Sequence, residues 1–199
     1  VDPVVLALPR GGVPVGAEIA RALGAPLGIT FVRKIGAPGE PELAVGAVAD
    51  GSDPEIVLND KLVDALDLDE AYITSEVARE LQRIEHRRRE YAGLCPAVEL
   101  AGRAVIIVDD GVATGMTMQA ALRQVRRRRP GRLVAAMPVA SREAVDLLRG
   151  EADEVVCLSS PRGFGSVGAY YRVFGQVSDE EVATLLKTAR LFGEAQGRA

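Results

Sequence analysis

The sequence is poor in the residues that build metal and disulfide sites. It has one histidine, two cysteines and no tryptophan among 199 residues. A single histidine, His86, excludes a metal site made of several histidines. Cys95 and Cys157 lie in unrelated contexts, and Cys157 falls in an apolar run typical of a core strand. The sequence therefore contains neither a CxxC pair nor a disulfide framework, and we predict a protein of the reducing cytoplasm.

Long apolar runs and excess positive charge are also missing. No run approaches the roughly 20 residues of a membrane-spanning helix, and no signal peptide is visible. Lysine and arginine total 24 against 28 acidic residues, so the net charge is −4 and the pI is near 5.2. This balance argues against a general nucleic-acid binder. We therefore expect small-molecule partners, without a membrane and without nucleic acid.

The chain contains short apolar runs that alternate with amphipathic helical patterns. This alternation predicts an α/β fold with a mostly parallel central sheet flanked by helices, and a single domain over residues 1–199. Predicted strands cover 4–8, 27–32, 43–49, 55–58, 104–108, 133–139 and 155–158. Residues 33–41 are predicted to form a long irregular loop. Residues 59–99, where a long helix is predicted over 69–91, are the least sheet-like and are expected to form a small helical hood or arm.

The strongest chemical signal lies at 104–117, where a buried strand is followed by two acids and a loop rich in glycine and threonine. Such a loop presents backbone N–H groups and the Thr114 and Thr117 hydroxyls at a helix N-terminus, which suits phosphate. Asp109 and Asp110 suit sugar hydroxyls, a magnesium ion, or both. The combination predicts a phosphorylated ribose as ligand. The alternative is that the two acids only begin a helix or a solvated turn.

Two further loops are expected at the same edge of the sheet, because the carboxyl ends of parallel strands meet there. Arg10-Gly11-Gly12 follows the first strand and Arg33-Lys34 follows the second. Both segments combine positive charge with groups that can approach an anion. The alternatives are a plain strand-to-helix turn for the first segment and surface charge for the second.

The motif Val-Asp-Asp-Gly-Val-Ala-Thr-Gly-Met-Thr at 108–117 resembles, without a gap, the signature of the type I phosphoribosyltransferases. Pro-Arg-Gly-Gly at 9–12, Val-Arg-Lys at 32–34 and Val-Gly-Ala-Tyr-Tyr at 167–171 are similar to an uncharacterised group within that family. The resemblance implies transfer of ribose 5-phosphate from 5-phosphoribosyl-1-diphosphate (PRPP) to a nitrogenous base, with pyrophosphate release and Mg²⁺ as cofactor. It also implies a place in nucleotide metabolism or salvage.

The resemblance also implies a role for each motif. The residues carried over as catalytic are Asp109, Asp110, Arg10, Arg33 and Lys34. The 5′-phosphate loop is Gly111, Val112, Ala113, Thr114, Gly115, Met116 and Thr117, and pyrophosphate contacts Arg10, Gly11 and Gly12. Magnesium is held through the substrate and by Asp109 and Asp110. The family often has a cis non-proline bond in the pyrophosphate loop, which we predict at Arg10–Gly11.

Residues 161–199 are expected to contain the base-binding segment and a C-terminal helix. The stretch 161–171 is similar to the base-binding segment of the 6-oxopurine enzymes, which implies that Phe164 stacks on the base beside Val167 and Gly168. The lysine that those enzymes use to read the purine oxygen is absent here. Ala113 also replaces an aspartate of that subfamily. The alternative for these aromatics is a minor core beneath the last helix.

Two other functions remain compatible with the same motifs. The fold also occurs in regulators that sense PRPP or nucleotides without turnover, and a non-catalytic subunit of a PRPP-using assembly is the second alternative. No separate DNA-binding segment is visible in the sequence, which favours the enzyme. Dimers are common in the family, so a homodimer is the oligomer to expect.

Overall fold

The computed structural model describes residues 2–51, 53–95 and 98–196. Its central sheet has five parallel strands in the order β2-β1-β6-β7-β8. The strands are β1 (Pro3–Ala7), β2 (Leu27–Ile29), β6 (Ala104–Val108), β7 (Arg132–Val139) and β8 (Glu154–Ser159). The predicted α/β fold with a parallel sheet is confirmed.

Helices cover both faces of the central sheet because its inner strands are apolar on both sides. The helices are α1 (Gly12–Leu23), α4 (Met116–Arg126), α5 (Arg142–Leu148) and α6 (Asp179–Gln196). The helices α1 and α6 pack together over β1 and β2, while α4 and α5 lie on the side of β6, β7 and β8. None of the helices in the described ranges is long and apolar enough to cross a bilayer.

A second, antiparallel sheet stands beside the first and has three strands in the order β3-β4-β5. Its strands are β3 (Val32–Ala37), β4 (Glu40–Ala49) and β5 (Glu55–Leu58), followed by α2 (Asp60–Ala65) and α3 (Glu70–Glu90). We call β3–β5 with α2 and α3 the hood. One face of the hood sheet packs on α3 through Ile35, Val48 and Val77. The other face packs on α4, where Ala47 meets Met116.

The hood differs from the sequence prediction in extent and content. It covers 32–90 rather than 59–99, and it contains a sheet as well as helices. The predicted strand at 27–32 ends at Ile29, and Val32 already belongs to the other sheet. The predicted loop at 33–41 is wrong, since it forms a bulged hairpin. A Cβ on Gly36 would lie 2.7 Å from Pro41 Cα. The missing side chain of Gly36 therefore permits the close approach of β3 and β4 at this bulge.

The predicted helix over 69–91 is confirmed as α3, and its boundary has a local cause. The Asp69 side chain accepts a hydrogen bond of 2.7 Å from Tyr72 N and so caps the first turn. Ser178 caps α6 in the same way by accepting from Glu181 N at 3.1 Å. Between β8 and α6 the chain is irregular except for a short 3-10 helix, Val167–Tyr170. These caps fix where α3 and α6 begin, and α3 also contributes residues to the site described next.

Candidate active site

A cleft of about 910 Å³ opens beyond the carboxyl end of β6, between the central sheet and the hood. It is the expected location for a ligand in an open parallel sheet. The central sheet contributes the segment 109–118, and the hood contributes residues of β3, β4 and α3. The charged residues on its walls are Arg33, Lys34, Glu42, Arg79, Glu80, Arg83, Asp109 and Asp110. The cleft thus combines acids and cations, as a ligand with hydroxyls and phosphates would need.

The acid pair lies directly after β6. Asp110 N donates a hydrogen bond of 2.9 Å to Asp109 Oδ1. Burial raises the pKa of Asp109 well above its usual range, and the neighbouring Asp110 charge raises this pKa further. Burial also raises the pKa of Asp110. The two carboxylates are therefore under electrostatic stress in the free protein, and a cation or hydroxyl donors would relieve it.

The loop after the acid pair offers unpaired backbone donors. In the part of the chain that the structure describes, the amides of Thr114, Gly115, Met116 and Thr117 donate no hydrogen bond to the protein. Gly115 forms the N-cap of α4 at φ 90°, a conformation that favours glycine. Free amides at the start of a helix form an anion site. The predicted phosphate loop therefore has the geometry of a phosphate-binding site.

Neighbouring elements hold this loop in place. Ser141, which is buried, donates from Oγ to Ala113 O at 2.6 Å and accepts from Ala144 N at 3.0 Å. Val112 N donates to Val139 O at 2.9 Å. The bond to Ala144 N caps α5, a role typical of a serine before a helix. The second bond of Ser141, to Ala113 O, depends on how α5 docks beside the loop, which no local pattern reveals.

The cations of the cleft come from the hood. Arg33 and Lys34 lie on β3, not on a loop after a strand of the central sheet as predicted, because β3 belongs to the hood sheet. Both nevertheless line the cleft. The charge of Lys34 lowers the pKa of Asp109 and so partly offsets burial. Lys34 of the hood therefore acts electrostatically on Asp109.

Arg79 and Arg83 also line the cleft from α3, and sequence reasoning missed both as site residues. The i,i+3 spacing of Glu80 and Arg83 is typical of a surface ion pair on a helix. The pair exists at 2.6 Å, but Glu80 is only 3% exposed and also accepts from Arg33 Nε at 3.0 Å. The i,i+3 spacing was a sufficient signal for the pair. The burial of Glu80 was not predictable, because it results from the docking of α3 on β3.

The loop at Arg10-Gly11-Gly12 packs against the acid pair. A Cβ on Gly11 would lie 1.9 Å from Asp110 Oδ2, and one on Gly12 would lie 2.5 Å from Val108 O. Both positions therefore require glycine for close approach. The cis bond is Pro9–Arg10, so the prediction of Arg10–Gly11 is wrong by one residue.

Arg10 does not line the large cleft. It lines an adjoining pocket of about 130 Å³ together with Arg33 and Arg87. Pro9, Val32 and Arg33 line both spaces, so the pocket and the cleft share a wall. The loop with the predicted pyrophosphate contacts and the predicted catalytic residue Arg33 thus meet at this shared wall.

Two residues of the segment 161–174, Val167 and Phe174, line the cleft. Val167 lines the cleft, and a Cβ on Gly111 would lie 2.5 Å from its Cγ1. Gly168 does not itself line the cleft, but its missing side chain makes room for Phe174, since a Cβ there would lie 2.8 Å from Phe174 Cδ1. Phe174 lines the cleft and is half exposed, yet sequence reasoning did not select it as a base-binding residue. The only local signal was one more aromatic in a glycine-rich segment.

Phe164, the predicted stacking residue, lies elsewhere. It lines a neighbouring open depression of about 500 Å³, which Ala113 and Thr114 also line. Its ring stacks on Tyr170 with centroids 5.4 Å apart. The next residue, Tyr171, donates from its hydroxyl to Asp110 O at 2.5 Å. The aromatic segment is therefore tied to the acid pair through Tyr171, while Phe164 faces a separate opening.

The described residues contain no cluster of three or more histidine, cysteine, aspartate or glutamate side chains that would hold a metal alone. Asp109 and Asp110 are nevertheless oxygen donors of the kind that Mg²⁺ prefers. Their raised pKa values show that positive charge is favoured beside them. The donor set fits a magnesium ion whose remaining ligands come from a substrate or from water.

Comparison with known proteins agrees with the site. The family model described as phosphoribosyl transferase domain matches residues 2–172. Two curated proteins of Mycobacterium tuberculosis strains, both provisionally named phosphoribosyl transferase, are 44% identical over 193 residues. The alignment covers 96% of this chain but only 43% of each relative, so the chain spans less than half of their length.

A solved structure extends the likeness to the whole fold. The crystal structure of the protein TT1426 from Thermus thermophilus is 47% identical to this chain, with a TM-score of 0.78. The superposition covers 94% of this chain and 88% of the other. The acid pair and the free amides after β6 agree with the family match over residues 2–172. The chain therefore belongs to the phosphoribosyl transferase domain family.

Proposed function

We propose that this protein transfers ribose 5-phosphate from PRPP to a nitrogenous base and releases pyrophosphate. The observation that carries the proposal is the presence of the acid pair and the free-amide loop in one cleft with hood cations. The family includes proteins named for this transfer, which supports the reaction class. A phosphate, a diol and a pyrophosphate each find a matching group here.

The phosphate loop and the acid pair orient the sugar. The amides of 114–117 bind the 5′-phosphate, and Asp109 and Asp110 accept hydrogen bonds from the ring hydroxyls. Both groups follow one strand, β6, whose neighbours β1 and β7 are hydrogen-bonded to it on either side. Holding the sugar between two fixed sites contributes position rather than chemistry.

The hood side stabilises the leaving group. The bond between the anomeric carbon and the pyrophosphate oxygen breaks, and pyrophosphate leaves with the electron pair. The base nitrogen forms the new bond and releases one proton to water. Arg33 and Lys34, with Arg10 at the adjoining pocket, lie where negative charge grows. One preorganised donor of this kind contributes about 3–4 kcal/mol to a transition state.

Magnesium fits the acid side of the same cleft. Asp109 and Asp110 would hold the ion jointly with substrate oxygens, and when bound it neutralises charge on the leaving group. Val167 and Phe174 provide the apolar wall that a planar base would contact. We place the base there rather than at Phe164, because Phe174 shares the cleft with the acid pair.

The test is pyrophosphate release from PRPP with Mg²⁺ across a panel of purine and pyrimidine bases. The proposal predicts that at least one base stimulates release and yields an equimolar nucleoside 5′-monophosphate. Tight PRPP binding without stimulation by any base would instead support a PRPP-sensing regulator. Failure to bind PRPP at all would contradict both functions.

A further inference from the structure

Asp179, the first residue of α6, joins three separate elements. Its Oδ1 accepts from the Tyr91 hydroxyl at 2.6 Å and from Arg87 Nη1 at 2.5 Å. Its Oδ2 lies 3.5 Å from Arg10 Nη1. One carboxylate therefore connects the loop after β1, the end of α3 and the start of α6.

The anchor of this carboxylate is rigid. Tyr91 is 5% exposed, and its ring is stacked on Phe31 with centroids 6.1 Å apart. Burial, and then the bond to Asp179, raise the pKa of Tyr91 to about 12, so its hydroxyl remains a donor. The same bond is the main cause that lowers the pKa of Asp179, which stays ionised. Asp179 is thus a fixed negative charge beside two guanidinium groups.

Arg10 and Arg87 also line the 130 Å³ pocket that adjoins the cleft. Asp179 does not line this pocket. It contacts Arg10 and Arg87 from outside, and each guanidinium has five N–H donors, so some remain for a ligand. Arg33, on the wall shared with the cleft, is held in a similar way by Glu80.

Building on the proposed transferase function, we propose that Arg87 is a further pyrophosphate-binding residue and that Asp179 is the positioning residue that holds Arg87 and Arg10 at the pocket. Arginine side chains lose conformational freedom when they bind an anion, and a carboxylate that orients them beforehand reduces this loss. The helix α6 therefore contributes to the site although it supplies no ligand.

The test compares two ligands by isothermal titration calorimetry. Inorganic pyrophosphate and ribose 5-phosphate are titrated separately into the wild type, Arg87→Gln, Asp179→Asn and Glu180→Gln. Glu180 lies in the same turn of α6 and is exposed, so its variant controls for the loss of one negative charge. Asparagine at 179 can still accept from Tyr91, and Arg87→Gln keeps the bond between Tyr91 and Asp179, so neither substitution removes the contact that anchors the start of α6.

We expect Arg87→Gln and Asp179→Asn each to weaken pyrophosphate binding roughly tenfold, while ribose 5-phosphate binding stays unchanged. Glu180→Gln should change neither. If Asp179 mattered only through its charge, its removal would tighten pyrophosphate binding, and that result would overturn the positioning role. Unchanged pyrophosphate binding in the Arg87→Gln variant would overturn the proposed role of Arg87 as a pyrophosphate-binding residue.

The outcomes also separate this inference from the proposed function. Pyrophosphate binding that is independent of Arg87 and Asp179, in a protein with base-stimulated turnover, refutes the inference alone. Binding that depends on both residues, in a protein that no base stimulates, refutes the transferase reaction alone. A wild type that binds no pyrophosphate refutes both.

Discussion

Two sides of the cleft, the segment after β6 and the hood, present different kinds of binding groups. We call them the backbone wall and the hood wall. The wall after β6 is a backbone site, in which amides and carboxylates are fixed by strand pairing, by Ser141 and by Tyr171. The hood wall is a side-chain site, in which long cations are held by carboxylates such as Glu80. Backbone groups cost little to preorganise, whereas arginines must be oriented by partners. Under the proposed function, sugar placement would depend on the central sheet, and leaving-group stabilisation would depend on ion pairs.

The charges of the two walls also differ in their effect on stability. The hood arginines Arg33, Arg79 and Arg83 form ion pairs with Glu76 or Glu80 in the free protein. The acid pair has no cationic hydrogen-bond partner among the described residues, and burial raises the pKa of both groups. The acid pair is thus expected to lower the stability of the free protein, although the proposed function needs it.

The largest effect is expected for Asp109→Asn with Asp110→Asn. Turnover should fall by about 100-fold to 1,000-fold or more, because the ribose and its metal lose their acceptors. The free protein should become more stable, by about 2–4 °C in Tm for each kcal/mol of relieved repulsion. Steady-state kinetics and calorimetric melting measure the two effects on the same samples.

The pH dependence of this stability gain follows from the raised pKa values of the acid pair. A carboxyl group whose pKa is higher in the folded than in the unfolded protein destabilises the folded state as pH rises above the unfolded pKa of about 4. The difference in Tm between the variant and the wild type should therefore grow from about pH 4 upwards, until the folded pKa values are passed. A wild type that melts higher than the variant at neutral pH would contradict this account of the acid pair.

Substitution of Glu80 removes the buried partner of the hood arginines. Glu80→Gln leaves Arg33 and Arg83 without a buried counter-charge and should lower the free energy of unfolding by about 2–3 kcal/mol. Glu85 on the same helix also holds two arginines, Arg88 and Arg89, but its side chain is 39% exposed, against 4% for Glu80. Glu85→Gln should match the wild type in urea unfolding. Equal losses in the two variants would show that burial is not what distinguishes Glu80.

The backbone wall can be strained at Gly115 without changing a charge. Gly115→Ala places a side chain at φ 90° and 2.8 Å from Leu147 Cδ2, with an expected loss of about 1–2 kcal/mol in stability. It should also weaken ribose 5-phosphate binding. Gly102, before β6, has φ 72° and no atom within 4 Å of a built Cβ. Gly102→Ala should therefore lower the stability without weakening ribose 5-phosphate binding. Weaker ribose 5-phosphate binding in both variants would argue against a local role for the loop.

The smallest effect is expected at Tyr171. Tyr171→Phe removes the bond to Asp110 O and should cost about 1 kcal/mol, seen as a several-fold fall in kcat with little change in the KM for the base. Tyr170→Phe is the matched control, because the Tyr170 hydroxyl has no protein hydrogen bond within the described ranges. Equal kinetics of the two variants would show that the aromatic segment does not support the acid pair.

The sequence predicts the backbone wall better than the hood wall for a physical reason. Residues 104–117 are contiguous, so the strand, the acid pair and the glycine-rich loop can each be recognised from neighbouring residues in the sequence. The hood cations come from β3 and α3, which meet only through packing. Gly36 and Pro41 conceal the β3–β4 pairing because their usual effect is to end strands. Glu80 and Phe174 show the same limit, since spacing identifies neighbours on one element but not contacts between elements.

The central claim is that the amides of 114–117 hold the sugar phosphate while Asp109 and Asp110 face the ribose. The most direct measurement is a crystal structure of the protein with ribose 5-phosphate. The account predicts the phosphate within hydrogen-bond distance of those amides and the ring hydroxyls beside the two carboxylates. A phosphate bound instead at the hood arginines, with the loop amides contacted only by water, would contradict it.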